Sequence, residues 1–257
     1  MGTPLRNPPV YFTLAQVKFN PILKLDEFVP TIQEAFRRAG YPDFAAHAVT
    51  TFKISMLTPE PQMVNSYSFG DSAKTHSFVL ARDSLTLQST DYGTFNSFCE
   101  KFEGGLKMIH DAVQLDFVAR IGLRYLDRIA PLGEDQLEQY LKPQVLGIRD
   151  LIGGAPLHSY CETLTQISGA RLLSRVFIHA GPLGFPPDIG QPGLQLQERF
   201  NVPAGLHAVL DTDGFVEQRI PFSIEAVRNH LHELHELVGD VFKALATPYA
   251  FEMWNKQ

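Results

Sequence analysis

The chain predicts an α+β fold: antiparallel sheets with long helices packed on one face. Two observations point there. Runs of β-branched and aromatic residues come in groups broken by tight turns, as antiparallel hairpins do. Each half of the chain, at 76–113 and 171–246, then carries a strand hairpin followed by one long stretch of apolar residues at helical spacing. A duplicated, ferredoxin-like unit is one arrangement that satisfies this order, although no residue-level repeat accompanies it.

The elements follow in order. Residues 10–19 alternate loosely and read as a strand, stopped by Asn20-Pro21. Asp26 is placed to cap a helix carrying Phe28, Ile32, Ala35 and Phe36 on one side, with Arg37 and Arg38 in the last turn and Gly40 closing it. Strands are expected at 48–57 and 64–70, and at 76–82 and 84–89 around an Arg82-Asp83 turn. Thr94 opens a second helix with Phe95, Phe98, Phe102, Leu106, Ile109 and Val113 on one face. Within it Gly104-Gly105 costs about 1 kcal/mol per glycine relative to alanine, which points to close packing against another backbone. A strand follows at 116–129.

Glycine and proline then thicken through 131–156, with a short helical piece near 134–141. This segment divides the chain into an N-terminal α+β half (1–130), a connection (131–156) and a C-terminal α+β half (157–257). Strands are expected at 158–167 and 171–180, then a long irregular loop over 181–205. That loop carries Leu183, Phe185, Ile189, Leu194, Leu196 and Phe200, so it either folds onto the body or binds something. A strand at 205–213 ends at an Asp213-Gly214 turn, and a helix runs from Ser223 to about Ala246.

The totals narrow the classes of function. The 257 residues are 44% hydrophobic and 19% charged, enough apolar content for a sizeable core. A net charge of −6 argues against nucleic acid, which wants a basic footprint, although a local basic groove is compatible with it. Two distant cysteines, Cys99 and Cys161, form no framework and fit a reducing cytosol. No apolar run approaches membrane-spanning length, and the first residues lack an apolar signal core.

The stretch Arg120-Ile-Gly-Leu-Arg-Tyr-Leu-Asp-Arg128 holds the main candidate site. Strand side chains alternate faces, so Arg120, Gly122, Arg124 and Arg128 share one face, and Ile121, Leu123, Tyr125 and Asp127 the other. Half-buried guanidiniums need acceptors. Asp211 and Asp213, two apart at a strand end, share a face and can receive Arg120 or Arg124 as an internal ion pair locking two strands. The functional alternative is an anion-binding cleft of Arg120, Arg124 and Tyr125, since the planar fork of arginine binds carboxylate or phosphate through two oxygens.

Several segments together resemble a known family. They are Pro8-Pro9-Val10 leading to Phe19-Asn20-Pro21, the Arg120–Ile129 block, Leu137-Glu-Gln-Tyr-Leu141, Leu210-Asp-Thr-Asp213, and a C-terminal helix ending Phe242-Lys-Ala-Leu-Ala-Thr247. The chain is similar over nearly its whole length to a sporadically distributed family of uncharacterised bacterial proteins with a central Gly-Leu-Arg-Tyr block. That family usually carries Asn where this chain has Asp127, and ends its helix on Ile-Thr where this chain has Ala246-Thr247. The resemblance supplies no activity. Its patchy occurrence implies mobile or defence-type gene neighbourhoods.

Other constellations carry less. Asp211-Thr-Asp213-Gly214 opens like a calcium loop, but Val216 and Phe222 stand where glycine and glutamate are required. His230, His232 and His235 lack zincin spacing and read as a polar flank, so no metal and no cofactor is expected. Cys99 reads as core, and no nucleophile elbow or phosphate loop is present. The reading is a non-enzymatic cytosolic binding protein, with another protein or a second copy of itself as partner. The alternative is a small-anion-binding or hydrolytic enzyme using the Arg/Tyr cleft.

Overall fold

The computed structural model describes residues 5–55, 58–148 and 157–256. Fifteen helices and strands are needed to follow it. In chain order they are β1 (Val10–Phe19), α1 (Leu25–Arg38), β2 (Asp43–Ser55), β3 (Thr58–Gly70), β4 (His76–Ala81), β5 (Ser84–Ser89), α2 (Phe95–Val113), β6 (Phe117–Ile129) and α3 (Leu137–Tyr140). Then come β7 (His158–Ile167), β8 (Ala170–Gly181), β9 (Gly205–Val216), β10 (Ile220–Pro221), α4 (Ile224–Leu245) and α5 (Pro248–Lys256). The protein mixes helices with one large, open, antiparallel sheet in the order β2-β3-β4-β5-β1-β6-β9-β8-β7, with β10 paired to β6.

The sheet runs unbroken through the expected division of the chain, because β6 pairs with β1 on one side and β9 on the other. Part of the connecting segment, 149–156, lies outside the described residues, as do residues 56–57 of the strand expected at 48–57. Among the described residues no helix is long and apolar enough to cross a membrane.

Alternation along β6 sorts the molecule into two sides. Ile121, Leu123 and Tyr125 share a core with Leu25, Ile32 and Phe36 of α1, Phe98, Phe102 and Leu106 of α2, and Val227, Leu231 and Leu234 of α4. Ile129 joins a second core with Val176, Ile178, Leu210, Tyr140 and Trp254. Leu126 points the other way, into a third core with Tyr11, Phe12, Val209 and Phe200. Against that third core pack Leu183, Phe185, Ile189, Leu194 and Leu196, so the irregular 182–204 segment lies across the sheet instead of standing off it.

Local details correct four expectations. Asp26 does not cap α1; the cap position is Lys24, without a side-chain hydrogen bond, and Asp26 instead accepts from the Tyr67 hydroxyl at 2.7 Å. The strands expected at 48–57 and 64–70 are both longer, pairing from Asp43↔Gly70 outward. Asp213-Gly214 is no turn: β9 runs through to Val216, and a Cβ added at Gly214 would lie 3.0–3.4 Å from Val238, Leu172 and Leu234. Gly105 does mark a close approach, but to a side chain and not to backbone: a Cβ added there would lie 2.3–2.9 Å from the Phe78 ring. Thr94 and Ser223 do cap their helices, accepting from Ser97 and Ala226 backbone N–H groups.

Candidate site on the arginine face of the sheet

Strand register builds the site. Arg124 stands opposite Asp213, and Asp211 opposite both Leu126 of β6 and Arg175 of β8. A guanidinium is long enough to reach diagonally, and Arg124 does so. It donates from Nε and Nη2 to the two oxygens of Asp211, each at 2.7 Å, and from Nη1 and Nη2 to those of Asp188 at 2.7 and 3.1 Å. Two bidentate carboxylates thus grip one arginine that is 6% exposed.

Arg175 closes the network. Its Nε donates to Glu162 at 2.8 Å, and its Nη1 to Asp211 at 3.3 Å, with Asp188 3.5 Å away. Burial works against the Arg124 charge, but the hydrogen bonds of Asp211 and Asp188 outweigh it and raise its pKa. Arg124 in turn holds the Asp188 carboxyl below the usual range. Asp211 is fully buried, Asp188 half exposed.

Of the other predicted residues, Arg120 and Asp213 stay beside Arg124, whereas Arg128 and Tyr125 do not. Arg120 donates to Gln16 at 3.0 Å, leans over the Phe215 ring at 4.5 Å, and forms an ion pair with Asp213 at 3.6 Å. Burial raises the Asp213 pKa against the pull of Arg120 and Arg124. Arg128 lies two rows away from Arg124 beside His207; burial lowers its pKa, and its Nε is buried without an acceptor among the described residues. Tyr125 belongs to the opposite face of the sheet and so does not join Arg120 and Arg124.

There Tyr125 forms a chain of its own. Its hydroxyl is 3.0 Å from the Tyr92 hydroxyl and 3.1 Å from His235 Nδ1. His235 stacks on Phe95 at 4.1 Å, and His232 meets the same ring edge-on. These two histidines pack inward; the polar flank expected of them is confined to His230, which sits 3.3 Å from Glu233. Asp127 is buried on this side too, and desolvation pushes its carboxyl up to about 7. Burial pushes the Cys99 thiol up to about 12, as befits a core cysteine.

Beside the arginine network the sheet is concave. A cleft of about 450 Å³ is lined by Gln16, Lys18, Arg120, Arg124, Asp188 and Asp213, among others. A second, also about 450 Å³, adjoins it over β2–β4 and shares Val79, Gln88 and Ile189. Lys18, Lys74 and Gln88 line this groove, and none has a side-chain hydrogen bond or ion pair among the described residues.

Asp188 is the member of the Arg124 network that strand patterning misses, because it comes from an irregular segment. One signal marks it. Between Gly181 and Gln197 it is the single charged residue, set after Pro186-Pro187 in an otherwise apolar run. Comparison with known proteins returns no matching family model, curated relative or solved structure.

Proposed function

We propose that the chain is a non-enzymatic binding protein whose working surface is the groove on the arginine face of the sheet. The observation that supports this is the groove itself. Two adjoining clefts make it open and amphoteric, and it presents the amide and ammonium groups of Gln88, Lys18 and Lys74, which have no side-chain partner among the described residues. Such a surface suits an extended partner, held by many modest contacts. The small-anion or hydrolytic alternative wants Tyr125 beside Arg124, and the sheet stands between them.

On this reading the partner is another protein or a second copy of the chain, in the cytosol, and a link to mobile or defence-type gene neighbourhoods is part of the proposal. We infer further that the N-terminal half follows a ferredoxin-like plan. The order β4-β5-β1-β6, with α1 leaving β1 and α2 joining β5 to β6, supports it. The C-terminal half is a β7-β8-β9 meander followed by α4.

Affinity purification from the native host tests the binding reading. Wild-type chain should retain a protein that the Lys18→Glu/Lys74→Glu double variant loses. Equal retention by both, or steady turnover of a small substrate by the purified chain, would overturn it.

A further inference from the structure

Asp188 is held like a ligand. Its partner Asp211 is fully buried in β9 and belongs to the sheet. Asp188 differs in every respect: it is half exposed, sits in an irregular segment, and lines the cleft that Arg124 also lines. Its two oxygens meet the outer edge of Arg124, with Arg175 3.5 Å away, in the geometry an incoming carboxylate would take. Removing it would leave Arg124 still paired with Asp211, so no charge would be stranded. The outer edge would then open to the cleft.

The cleft is prepared for more than one anionic group. Lys18 and Arg120 face each other in register across β1 and β6, and both line it. Lys18 has no side-chain partner among the described residues, and Arg120 donates one hydrogen bond, to Gln16, while its other side forms a longer ion pair with Asp213 at 3.6 Å that an incoming carboxylate would share. Planar forks favour a planar, two-oxygen acceptor.

We propose that Asp188 is a built-in placeholder in a carboxylate-binding site, displaced when a ligand with two or more carboxylates seats one on Arg124 and Arg175 and another on Lys18 and Arg120. This rests on the groove being a binding surface and names the chemistry it takes. A tethered competitor acts at high effective concentration, so the wild-type chain binds weakly until the ligand's second group adds its share. Ligand entry and release of the 182–204 segment are then one event.

Calorimetric titration of the full chain with succinate, with an acetylated tetraglutamate peptide and with inorganic phosphate tests this. Asp188→Asn should bind a carboxylate probe at least about tenfold tighter than wild type, and adding Lys18→Glu should cancel that gain. A gain for the peptide alone identifies a protein segment as the source; a gain for succinate identifies a small metabolite. Equal affinity of wild type and Asp188→Asn, or a gain equally large for phosphate, overturns the proposal. Should Asp188→Asn not fold, hydrogen exchange of wild type decides: saturating probe should speed exchange at residues 186–190, and unchanged exchange overturns the idea. A partner retained in the purification above, together with failure here, would leave the groove as a binding surface and remove the placeholder.

Discussion

Arg124 and Asp127, three positions apart on one strand, carry opposite electrostatic problems. Arg124 is solved by over-pairing. Arg124→Ala would leave Asp211 buried without its strongest partner, at a cost of about 3 kcal/mol, or roughly 6–12 °C in Tm for a chain of this length; differential scanning calorimetry reads it. A shift under two degrees would mean the pair contributes nothing to the fold. Asp127 is unsolved: it is buried, with its pKa raised to about 7 by desolvation. A raised carboxyl stabilises the folded state fully below the unfolded pKa near 4, and that contribution is lost as pH rises through 7. Asp127→Asn should flatten this slope and be more stable than wild type at pH 8 by about 2 kcal/mol. Urea titrations at pH 5 and pH 8 would show it, and parallel pH profiles for the two proteins would count against the assignment. The Asp188 and Glu103 carboxyls are lowered by Arg124 and Arg228, and that of Glu162 by the Tyr160 hydroxyl and then Arg175, so their contributions run the other way and fade in acid.

At the scale of elements, α2 offers a paired test. A Cβ on Gly104 meets nothing within 4 Å, whereas one on Gly105 would lie 2.3 Å from the Phe78 ring. Gly104→Ala should therefore stabilise by about 0.5–1 kcal/mol through helix propensity, and Gly105→Ala should destabilise by about 1–3 kcal/mol through overpacking. Chemical denaturation of the two variants checks a difference in sign that composition would never suggest. Elements with strong periodicity were legible in the sequence: β1, β4, β5, α2, β6, β7 and α4 all lie close to where alternation or helical spacing puts them. The meeting of Arg124 with Asp211 was legible only as one of two alternatives, an internal ion pair locking two strands. Register was not legible. Nothing local says that β9 lies beside β6 or that Arg124 reaches diagonally past Asp213, because strand pairing is decided by the whole sheet. Nor was Asp188, whose position depends on how Phe185, Ile189 and Leu194 dock on a surface made by distant strands.

For the whole molecule, the telling feature is that β6 sits in the middle of the sheet while closing the N-terminal half. A fragment ending at residue 130 would keep β6 but expose the edge that β9 covers, a long apolar strand with open backbone groups. We expect fragment 1–130 to elute as aggregate on size-exclusion chromatography while the full chain unfolds in one calorimetric transition; a monodisperse, cooperatively folded fragment would show the halves to be independent. The far edge of the sheet, β7, presents Tyr160, Leu164 and Ile167 to solvent. If the chain self-associates there, Leu164→Lys should convert a dimer to a monomer by light scattering.

The crossing segment also dictates an order of events in time. Its backbone is fastened to Lys74 by the Gln195 N–H at 2.8 Å and to Thr90 through the Gln195 carbonyl at 2.6 Å, and the Arg199 guanidinium reaches back to the Pro8 carbonyl at 2.8 Å. These fastenings join residues more than a hundred positions apart, at turns and strand ends that take shape only once the strands beside them are assembled. The loop-closure entropy is met only at the end, so refolding should finish with a late kinetic phase in which the sheet is complete and the stitch across it is still being tied.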